Sequence, residues 1–364
     1  MKKMRVFILL AMVATLSGCS ASEITAFSYE PNRSRYTDAQ KAYITNNDPS
    51  ATSPYNGNMS VSIPNPQIFK WNASGIKEFK ISFYKDEALT NLAVSYVTKD
   101  KQFEFYNSEL NTRYYVVVEG KGKVSDKIEY ECIESGPRNL FIEGVENVRD
   151  LGGWTNKIKQ GMIYRSGRFN EDKEETPKAS ITENGLYEIK NHLKIKTEID
   201  LRRTSINEVG GLTNQSVLGA DVKYVQLPMY FGGNNILTFV GNASKDDYDY
   251  NNPQKIKEFF DILAVEDNYP IDFHCSIGKD RTGCLAYLVE ALLGCSQEVL
   301  YRDYMFTNFA NAGMCKIEDI TDRYGATINA YEGTNLANKT YKYLNEVVGV
   351  STTTLDSVIN ILSR

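Results

Sequence analysis

One segment of the sequence combines a cysteine, an arginine and glycines in an arrangement that suits cleavage of a phosphate ester. Five residues separate Cys275 from Arg281 in the stretch His274-Cys275-Ser276-Ile277-Gly278-Lys279-Asp280-Arg281-Thr282-Gly283. A phosphate group needs backbone N–H donors, best placed at a helix N-terminus, and a guanidinium that can bind two oxygens. An attacking thiol must also be ionised, and a helix N-terminus lowers a cysteine pKa to roughly 3.5–7.5. The segment therefore predicts a phosphate-binding loop with Cys275 as nucleophile.

The same spacing occurs between Cys132 and Arg138, and this second case shows what else the chemistry requires. The Cys275 segment follows an apolar strand pattern, has Gly278 where the loop must turn tightly, and leads into an apolar helical pattern. The Cys132 segment instead contains Glu134, whose carboxylate would repel phosphate, and no helical pattern follows it. Cys132 is therefore predicted to be a buried strand cysteine.

The elements around the Cys275 segment alternate between strand and helix patterns. Strands are predicted over Thr197–Leu201, Lys223–Leu227 and Ile271–His274, and helices over Gln254–Ala264 and Thr282–Leu293. This alternation predicts an α/β domain over residues 138–364, with a mainly parallel central sheet flanked by helices. Residues 231–252 fit neither pattern and are predicted to form a long loop.

A different pattern precedes this domain. Short runs rich in Val, Ile, Phe and Tyr are separated by polar turns, as in Phe79–Tyr84, Leu92–Val97 and Arg113–Val118. Such runs predict a small all-β sandwich over residues 56–137, and Leu110–Tyr115 resembles part of a fibronectin-type or immunoglobulin-like domain. Glu134–Pro137 is the predicted linker, so residues from about 138 onward are expected to fold without the sandwich.

The N-terminus has the features of a bacterial export signal. Basic residues precede an apolar run over residues 6–16, which is too short to span a bilayer. The ending Leu16-Ser17-Gly18-Cys19 resembles the lipobox, which implies a signal peptide over residues 1–18 and lipidation of Cys19. The alternative is an ordinary signal peptide that contains a cysteine. Residues 19–55 are polar and are predicted to be a tether, which would leave the protein anchored to the extracytoplasmic face of the cell envelope.

Composition excludes some classes of function. The net charge is −5, from 41 basic and 46 acidic residues, and this argues against a nucleic-acid partner. The cysteines beyond Cys19 are odd in number and show no paired spacing, so neither a zinc site nor a disulfide framework is predicted. No metal or other cofactor is expected.

The segment from His274 to Gly283 resembles the signature loop of protein-tyrosine and dual-specificity phosphatases. Flanking motifs resemble the bacterial atypical tyrosine phosphatases, a branch that includes lipid and inositol-phosphate phosphatases. They are Asn147-Val148-Arg149-Asp150-Leu151-Gly152-Gly153, Ile163-Tyr164-Arg165-Ser166-Gly167-Arg168, Asp200-Leu201-Arg202 and Asp303-Tyr304. The resemblance covers about residues 139–330 and does not include the N-terminal half.

The resemblance implies a role for each residue of the loop. Cys275 attacks phosphorus and becomes a phosphocysteine, Thr282 donates to its sulfur, and His274 supports the loop and favours the thiolate. The phosphate oxygens are bound by Arg281 and by the backbone of Ser276, Ile277, Gly278, Lys279 and Asp280.

The general acid and the supporting residues are assigned from the same resemblance. Asp280 is the first candidate for the acid, with Asp246, Asp247 and Asp249 of the predicted long loop in reserve. Arg149 and Asp150 are expected to form an ion pair that braces the loop. Arg165 and Arg168 are expected either to bind substrate phosphate or to join this network. Asp200 and Arg202 are expected to lie at a strand end beneath the site.

The leading functional hypothesis is metal-independent hydrolysis of phosphotyrosine. Lys279 adds a cation at the rim of the loop, so inositol phosphates or phosphoinositides are the alternative substrates. A non-catalytic cell-surface binding protein is the alternative from another class, and the intact set of Cys275, Arg281 and Thr282 argues against it. The expected partners are a phosphorylated substrate and, through Cys19, a membrane.

Overall fold

The computed structural model describes residues 22–51, 59–170, 180–203, 215–233, 236–242, 248–310 and 315–364. Eight strands in the N-terminal half pair in two antiparallel sheets, in the orders β1-β2-β5 and β4-β3-β6-β7, with β8 also paired to β6. These strands are β1 (Glu23–Tyr29), β2 (Gln67–Ser74), β3 (Phe79–Tyr84), β4 (Leu92–Thr98), β5 (Gln102–Phe105), β6 (Arg113–Gly120), β7 (Lys123–Val124) and β8 (Ile128–Glu131).

Aromatic rings fill the space between the two sheets. The Phe83 ring of β3 lies 5.2 Å from that of Phe69 in β2 and 4.0 Å from that of Phe105 in β5, measured between centroids. All three side chains are almost fully buried. Large rings on the inward positions of alternating strands therefore give this sandwich its core. The predicted strands of this region correspond to β3, β4 and β6.

The prediction of a tether over residues 19–55 is wrong for the part of it that the structure describes. Glu23–Tyr29 is strand β1 of the sandwich and pairs with β2. A helix, α1 (Asp38–Ile44), begins at Thr37, whose side chain accepts a hydrogen bond from the backbone of Gln40. Tyr43 of this helix is buried against Phe309 in the core of the C-terminal half. Polar composition hid these elements because few of their side chains face a core.

The C-terminal half is built on a six-stranded sheet in the order β13-β12-β16-β11-β10-β9. Pairing is parallel from β13 to β11 and antiparallel at β10 and β9, so the sheet is mixed rather than wholly parallel. Its strands are β9 (Arg138–Asn139), β10 (Arg149–Asp150), β11 (Ile163–Ser166), β12 (Thr197–Asp200), β13 (Lys223–Gln226) and β16 (Ile271–His274). The predicted strands β12, β13 and β16 are confirmed.

The described residues form nine further α-helices besides α1. They are α2 (Met59–Ser62), α3 (Glu183–Tyr187), α4 (Asn252–Leu263), α5 (Asp280–Leu292), α6 (Gln297–Phe306), α7 (Ile317–Ile320), α8 (Ala326–Asn329), α9 (Leu336–Lys342) and α10 (Thr352–Leu362). Wider π-type turns continue three of them, over Glu188–Leu193, Thr321–Gly325 and Tyr343–Val347. Every residue of α5 after Asp280 is buried, so α5 lies in the main core. A smaller core contains Ile189 and Leu193.

The predicted long loop over residues 231–252 is wrong in part. Its described residues include a two-stranded antiparallel hairpin of β14 (Val240–Asn242) and β15 (Asp249–Asn251). The strands are too short to show a period in the sequence.

Within the described residues, no helix has both the length and the apolar character that crossing a membrane requires.

The two halves are joined by buried polar contacts and not by an open linker. Arg138, directly after the predicted linker, is 1% exposed and donates to the carbonyls of Asn107 and Ser108 at 3.0 and 3.1 Å. Asn107 in turn donates to Glu188 at 2.9 Å and accepts from the Phe141 N–H at 2.8 Å. Separating the halves would therefore expose these buried groups and exchange their hydrogen bonds for bonds to water.

Candidate active site

The Cys275 loop is held at the centre of the parallel part of the sheet. It follows β16, whose neighbours β11 and β12 both run parallel to it, and it ends where α5 begins. Ligands of α/β sheets bind outside the carboxyl ends of such strands. Gly278 has a φ of +70°, and a Cβ there would lie 2.5 Å from the Ser166 carbonyl oxygen. The loop can therefore close only with glycine at this position.

The thiol of Cys275 lies in surroundings that favour its ionised form. The residue is 2% exposed, and burial alone raises its pKa. The neighbouring Arg281 guanidinium and the side chain and backbone of Thr282, at the start of α5, more than offset this effect, so the pKa lies below its ordinary value. The N-terminus of α5 adds a positive end to the same place. Cys275, Arg281 and Thr282 are thus brought together as the sequence predicts.

The other cysteines in the C-terminal half have the opposite character. Burial raises the pKa of Cys284 and Cys295, and it raises that of Cys315 to about 12. Cys132 is buried, and its backbone forms an isolated β-bridge with that of Leu110, in agreement with its predicted place in the sandwich. The Cys275 thiol lies at a helix N-terminus beside an arginine, and none of the thiols of Cys132, Cys284, Cys295 and Cys315 has both of these features.

Side chains outside the loop bind its carbonyl groups. Arg168 Nη1 donates to the Ser276 carbonyl at 2.9 Å, and Arg165 Nη2 donates to that of Gly278 at 2.7 Å. Asn147 Nδ2 lies 3.1 Å from the carbonyl oxygens of both Ile277 and Gly278. In a trans peptide the N–H points away from the C=O, so these contacts turn the N–H groups of the loop towards its interior. That is the arrangement a phosphate requires.

Asp303 joins two of these supports. Its carboxylate accepts from Arg149 Nε at 2.6 Å and from Arg165 Nη1, and Arg149 in turn donates to the side-chain oxygen of Asn147 at 2.5 Å. Although burial raises the pKa of Asp303, the two guanidinium groups hold it below its ordinary value. Arg149 and Arg165 are thus linked to the loop through Asp303 on α6, and for Arg165 this is one of the two roles that the sequence left open.

The predicted ion pair between Arg149 and Asp150 is wrong. Asp150 instead accepts from Arg138 Nη1 at 2.6 Å, on the side of the sheet that meets the sandwich. Neighbouring residues of a strand project to opposite faces, so Arg149 and Asp150 in β10 cannot meet each other. Of these two residues, only Arg149 contacts Asn147 and Asp303, which support the loop.

His274 is buried beneath the loop and carries a positive charge near neutral pH. Its Nε2 lies 3.0 Å from Glu198, and its Nδ1 lies 3.2 Å from the Cys275 carbonyl oxygen. Burial alone lowers the pKa of His274, but Asp200 and Glu198 reverse this and raise it to about 9. His274 therefore supports the start of the loop through the Cys275 carbonyl, and its effect on the thiolate stays a prediction.

Asp200 and Arg202 lie at the end of β12 beneath the site, as predicted. Arg202 donates to Asp200 with its backbone and its guanidinium, the latter at 2.7 Å. Burial raises the pKa of Asp200, and His274 and Arg202 lower it to about 2. Arg281 Nη1 donates to the Leu201 carbonyl at 3.0 Å, so the same turn positions the phosphate clamp.

One group of described residues has side chains of the types that bind metals. Ligand atoms of Glu198, Asp200 and His274 lie within 4.8 Å of one another. The guanidinium of Arg202 already binds Asp200, and His274 already binds Glu198. A cation placed there would meet these positive charges, so the donor set does not fit a resident metal.

The structure places the candidates for the general acid unequally. Asp280 lies at the start of α5, and its Oδ1 accepts from Arg323 Nη1 at 2.7 Å. This contact directs one oxygen of the Asp280 carboxyl group towards Arg323. Asp249 is exposed on β15, and Asp246 and Asp247 lie outside the described residues, as does Cys19. The assignment of Asp280 stays a prediction.

Three residues that contact the phosphate loop or its supporting side chains had no role assigned from the sequence. Glu198 had a detectable signal, because it lies two residues before Asp200 in a strand and so shares its face. Asn147 lies within a quoted motif, but nothing in its type indicates that it binds the loop. Arg323 is 43 residues from its partner Asp280 and had no local signal.

The sequence of this chain is similar to those of known proteins. A family model described as the tyrosine phosphatase family matches residues 140–364, well over half of the chain. A protein of Cupriavidus necator, named provisionally as a tyrosine-protein phosphatase, is 24% identical over 200 residues, which cover 49% of this chain and 66% of that protein. The chain therefore spans slightly less than two thirds of that relative.

Solved structures were also compared. The core catalytic domain of the PP-IP phosphatase SIW14 from S. cerevisiae, in complex with citrate, is 21% identical and has a TM-score of 0.31, with 49% of this chain and 85% of that chain covered. TpbA of P. aeruginosa is 16% identical with a TM-score of 0.31, and the coverage is 54% of this chain and 91% of that one. The family model matches residues 140–364, which is more than half of the chain. On that basis the chain belongs to the tyrosine phosphatase family.

Proposed function

We propose that the C-terminal half hydrolyses phosphate monoesters through a phosphocysteine. The observation that carries this proposal is the buried Cys275 thiol, whose pKa is lowered beside Arg281 and Thr282 at the start of α5. In the first step the thiolate attacks phosphorus, an S–P bond forms, and the ester P–O bond breaks as the leaving oxygen takes a proton. In the second step water attacks phosphorus, the S–P bond breaks, and inorganic phosphate leaves. Arg281 and the loop N–H groups balance the charge of the transferring group.

Phosphotyrosine is the proposed substrate. The leaving group is then a phenol, which departs readily once it is protonated, and the family model and the name of the curated relative point to the same class. Asp280 is the proposed proton donor. The positive charge that the reaction needs can come from Arg281 and the N-terminus of α5, and this supports a metal-independent reaction.

Inositol phosphates or phosphoinositides are the second candidate substrates. The observation that favours them is Lys279, which is partly exposed in the loop and adds a cation where further phosphates would lie. A polyphosphate ligand gains from each cation at the rim of its site. Lys279→Gln would then raise the KM for an inositol polyphosphate much more than that for a phosphotyrosine peptide.

The decisive experiment is a substrate panel on the full chain and on Cys275→Ser. The panel contains phosphotyrosine peptides, phosphoserine peptides, phosphoinositides and soluble inositol phosphates, each with and without a chelator. We expect turnover by the wild type, none above a trace by Cys275→Ser, and no effect of the chelator. Turnover that survives in Cys275→Ser contradicts the nucleophile, and strong inhibition by the chelator contradicts the metal-independent route. A wild type inactive on every ester favours the non-catalytic binding protein.

We further propose that the protein is a lipoprotein of the bacterial cell envelope, on the extracytoplasmic side. The support is the basic start, the apolar run and the Leu16-Ser17-Gly18-Cys19 ending. Metabolic labelling with a fatty acid should mark the wild type and not Cys19→Ser. Equal labelling of both proteins, or none of the wild type, would contradict lipidation at Cys19.

A further inference from the structure

One arginine joins the start of α5 to a segment that follows β13. Arg323 lies in the helical turn Thr321–Gly325, and its guanidinium makes three hydrogen bonds. Nη1 donates to Asp280 Oδ1 at 2.7 Å, Nε donates to the Gly233 carbonyl at 3.0 Å, and Nη2 donates to the Phe231 carbonyl. The planar fork of an arginine can bind three acceptors in different directions, whereas the ammonium of a lysine is a single point.

The segment held in this way carries an aromatic ring over the phosphate clamp. The Phe231 ring centroid lies 4.9 Å from Arg281 Cζ, and 49% of the residue is exposed. Exposed phenylalanines are common on protein surfaces. This one is stacked on the guanidinium that would bind phosphate, so its ring can contact the alcohol part of a bound phosphate ester. The preceding Tyr230 is fixed by its neighbours, since its ring packs 4.1 Å from that of Phe239. The segment is therefore anchored on both sides of Phe231.

We propose that Arg323 is a positioning residue that holds Phe231 beside the phosphate loop, and that Phe231 selects esters of aromatic alcohols. The inference rests on the proposed phosphatase function and narrows its substrate class. A phosphate bound by Arg281 places the ester oxygen and its substituent next to the exposed face or edge of the Phe231 ring. A flat aromatic group gains from packing against that ring, and a small alkyl group gains little.

The size of the effect follows from ring–ring contacts in proteins. Such pairs contribute roughly 0.5–1.5 kcal/mol beyond the area they bury, which is a factor of roughly two to ten in affinity. Loss of Arg323 should reduce the preference for aryl over alkyl esters by a similar factor. The Phe231 ring is still present in that variant, but its backbone is no longer held. In Phe231→Leu the affinity for inorganic phosphate should change much less, since this variant retains Arg281, the loop and the contact of Arg323 with Asp280.

The test measures binding in the Cys275→Ser background, where turnover does not interfere. Calorimetry gives the dissociation constants of phenyl phosphate, methyl phosphate and inorganic phosphate. Phe231→Leu and Arg323→Gln are compared with Arg323→Lys and with Lys339→Gln. Lys339 is the matched control, because it also donates to a backbone carbonyl, that of Asn329 at 3.2 Å, in the C-terminal helices. We expect the preference for phenyl over methyl phosphate to fall roughly two- to tenfold in the first two variants and not in the control.

Arg323→Lys separates positioning from charge. If the geometry of the Arg323 guanidinium is what holds Phe231, Arg323→Lys should lose the preference for phenyl phosphate as Arg323→Gln does. An Arg323→Lys variant that keeps this preference would contradict the positioning role of the guanidinium. An unchanged preference in both Phe231→Leu and Arg323→Gln overturns the whole inference. Should Arg323→Gln fail to fold, the Phe231→Leu ratio alone decides whether the ring selects the substrate. Absence of phosphate binding by Cys275→Ser together with absence of wild-type turnover instead marks failure of the proposed function.

Discussion

Arg138 and Asp150 form an ion pair, with Nη1 and Oδ2 2.6 Å apart, that is almost fully buried where the sandwich meets the catalytic half. Arg138 also donates to two carbonyls of the sandwich. Asp150 accepts from the backbone N–H groups of Gly152 and Gly161, at 2.8 and 2.6 Å. The pair thus links a backbone turn of one half to the backbone of the other.

Asp150→Asn should destabilise the whole chain. Removing one partner of a buried ion pair leaves the other charge without compensation, which typically costs about 3–5 kcal/mol. The measurement is the free energy of unfolding in urea. Glu87→Gln breaks the exposed pair between Glu87 and Lys127 and serves as the control, with an expected cost of about 0–1 kcal/mol. Equal losses in the two variants would mean that the junction contributes no special stability.

The same contacts change what is expected of a fragment that starts at Arg138. Such a fragment lacks the carbonyl acceptors of Asn107 and Ser108, and it lacks Tyr43, which is part of the catalytic core. We expect a lower Tm and a lower soluble yield than for the full chain, contrary to the expectation from the sequence. A fragment as stable as the full chain would show that the halves are thermodynamically independent.

Gly278→Ala should abolish activity. A Cβ at Gly278 would lie within 2.5 Å of the Ser166 carbonyl oxygen, so the loop must shift and its N–H groups would leave their positions. Gly294→Ala is the matched control, because Gly294 has a similar φ of +74° but nothing within 4 Å of its added Cβ. Both variants bear backbone strain of roughly 1–2 kcal/mol. Only Gly278→Ala should lower kcat/KM, by roughly 100-fold or more if the oxyanion donors are displaced.

The buried His274 predicts a pH dependence of stability. Its folded pKa of about 9 exceeds the ordinary value of 6.5, so its protonation stabilises the fold fully below pH 6.5, and this contribution declines as pH rises to 9. Glu198→Gln removes a partner of the imidazolium and should flatten that decline. Unfolding free energies at both ends of this window test the prediction. Glu143→Gln, at a more exposed carboxylate, should leave the wild-type decline unchanged, and a variant of Glu198 that keeps the full decline would contradict the assignment.

Asp280→Asn tests the general acid. Loss of the true acid should slow aryl phosphates with poor leaving groups by roughly 10²–10⁴-fold and good ones far less. The comparison is a variant with Asn at Asp246, Asp247 and Asp249. If that variant shows the selective loss and Asp280→Asn does not, the acid lies on the segment around the β14–β15 hairpin.

Local signals allowed much of the catalytic half to be predicted. Strands β12, β13 and β16 and helices α4 and α5 have regular apolar periods, and the residues of the phosphate loop are contiguous. What could not be predicted depends on which faces meet after folding. The partners of Arg149 and Asp150 lie on opposite sides of β10, and Arg323 reaches Asp280 from a distant helical turn. In the N-terminal half, β1 and α1 were missed because their stretches carry too few apolar residues to show a period.

The start of β1 at Glu23 bears on where the enzyme could act. If Cys19 is lipidated as proposed, only Ser20, Ala21 and Ser22 separate the acyl chains from a strand that is hydrogen-bonded into the sandwich. A fully extended chain advances at most about 3.6 Å per residue, so that stretch reaches only roughly 14 Å. The sandwich would then rest on the lipid headgroups, and the phosphatase would sample a thin layer of space next to the membrane rather than the volume that a long flexible tether would open to it.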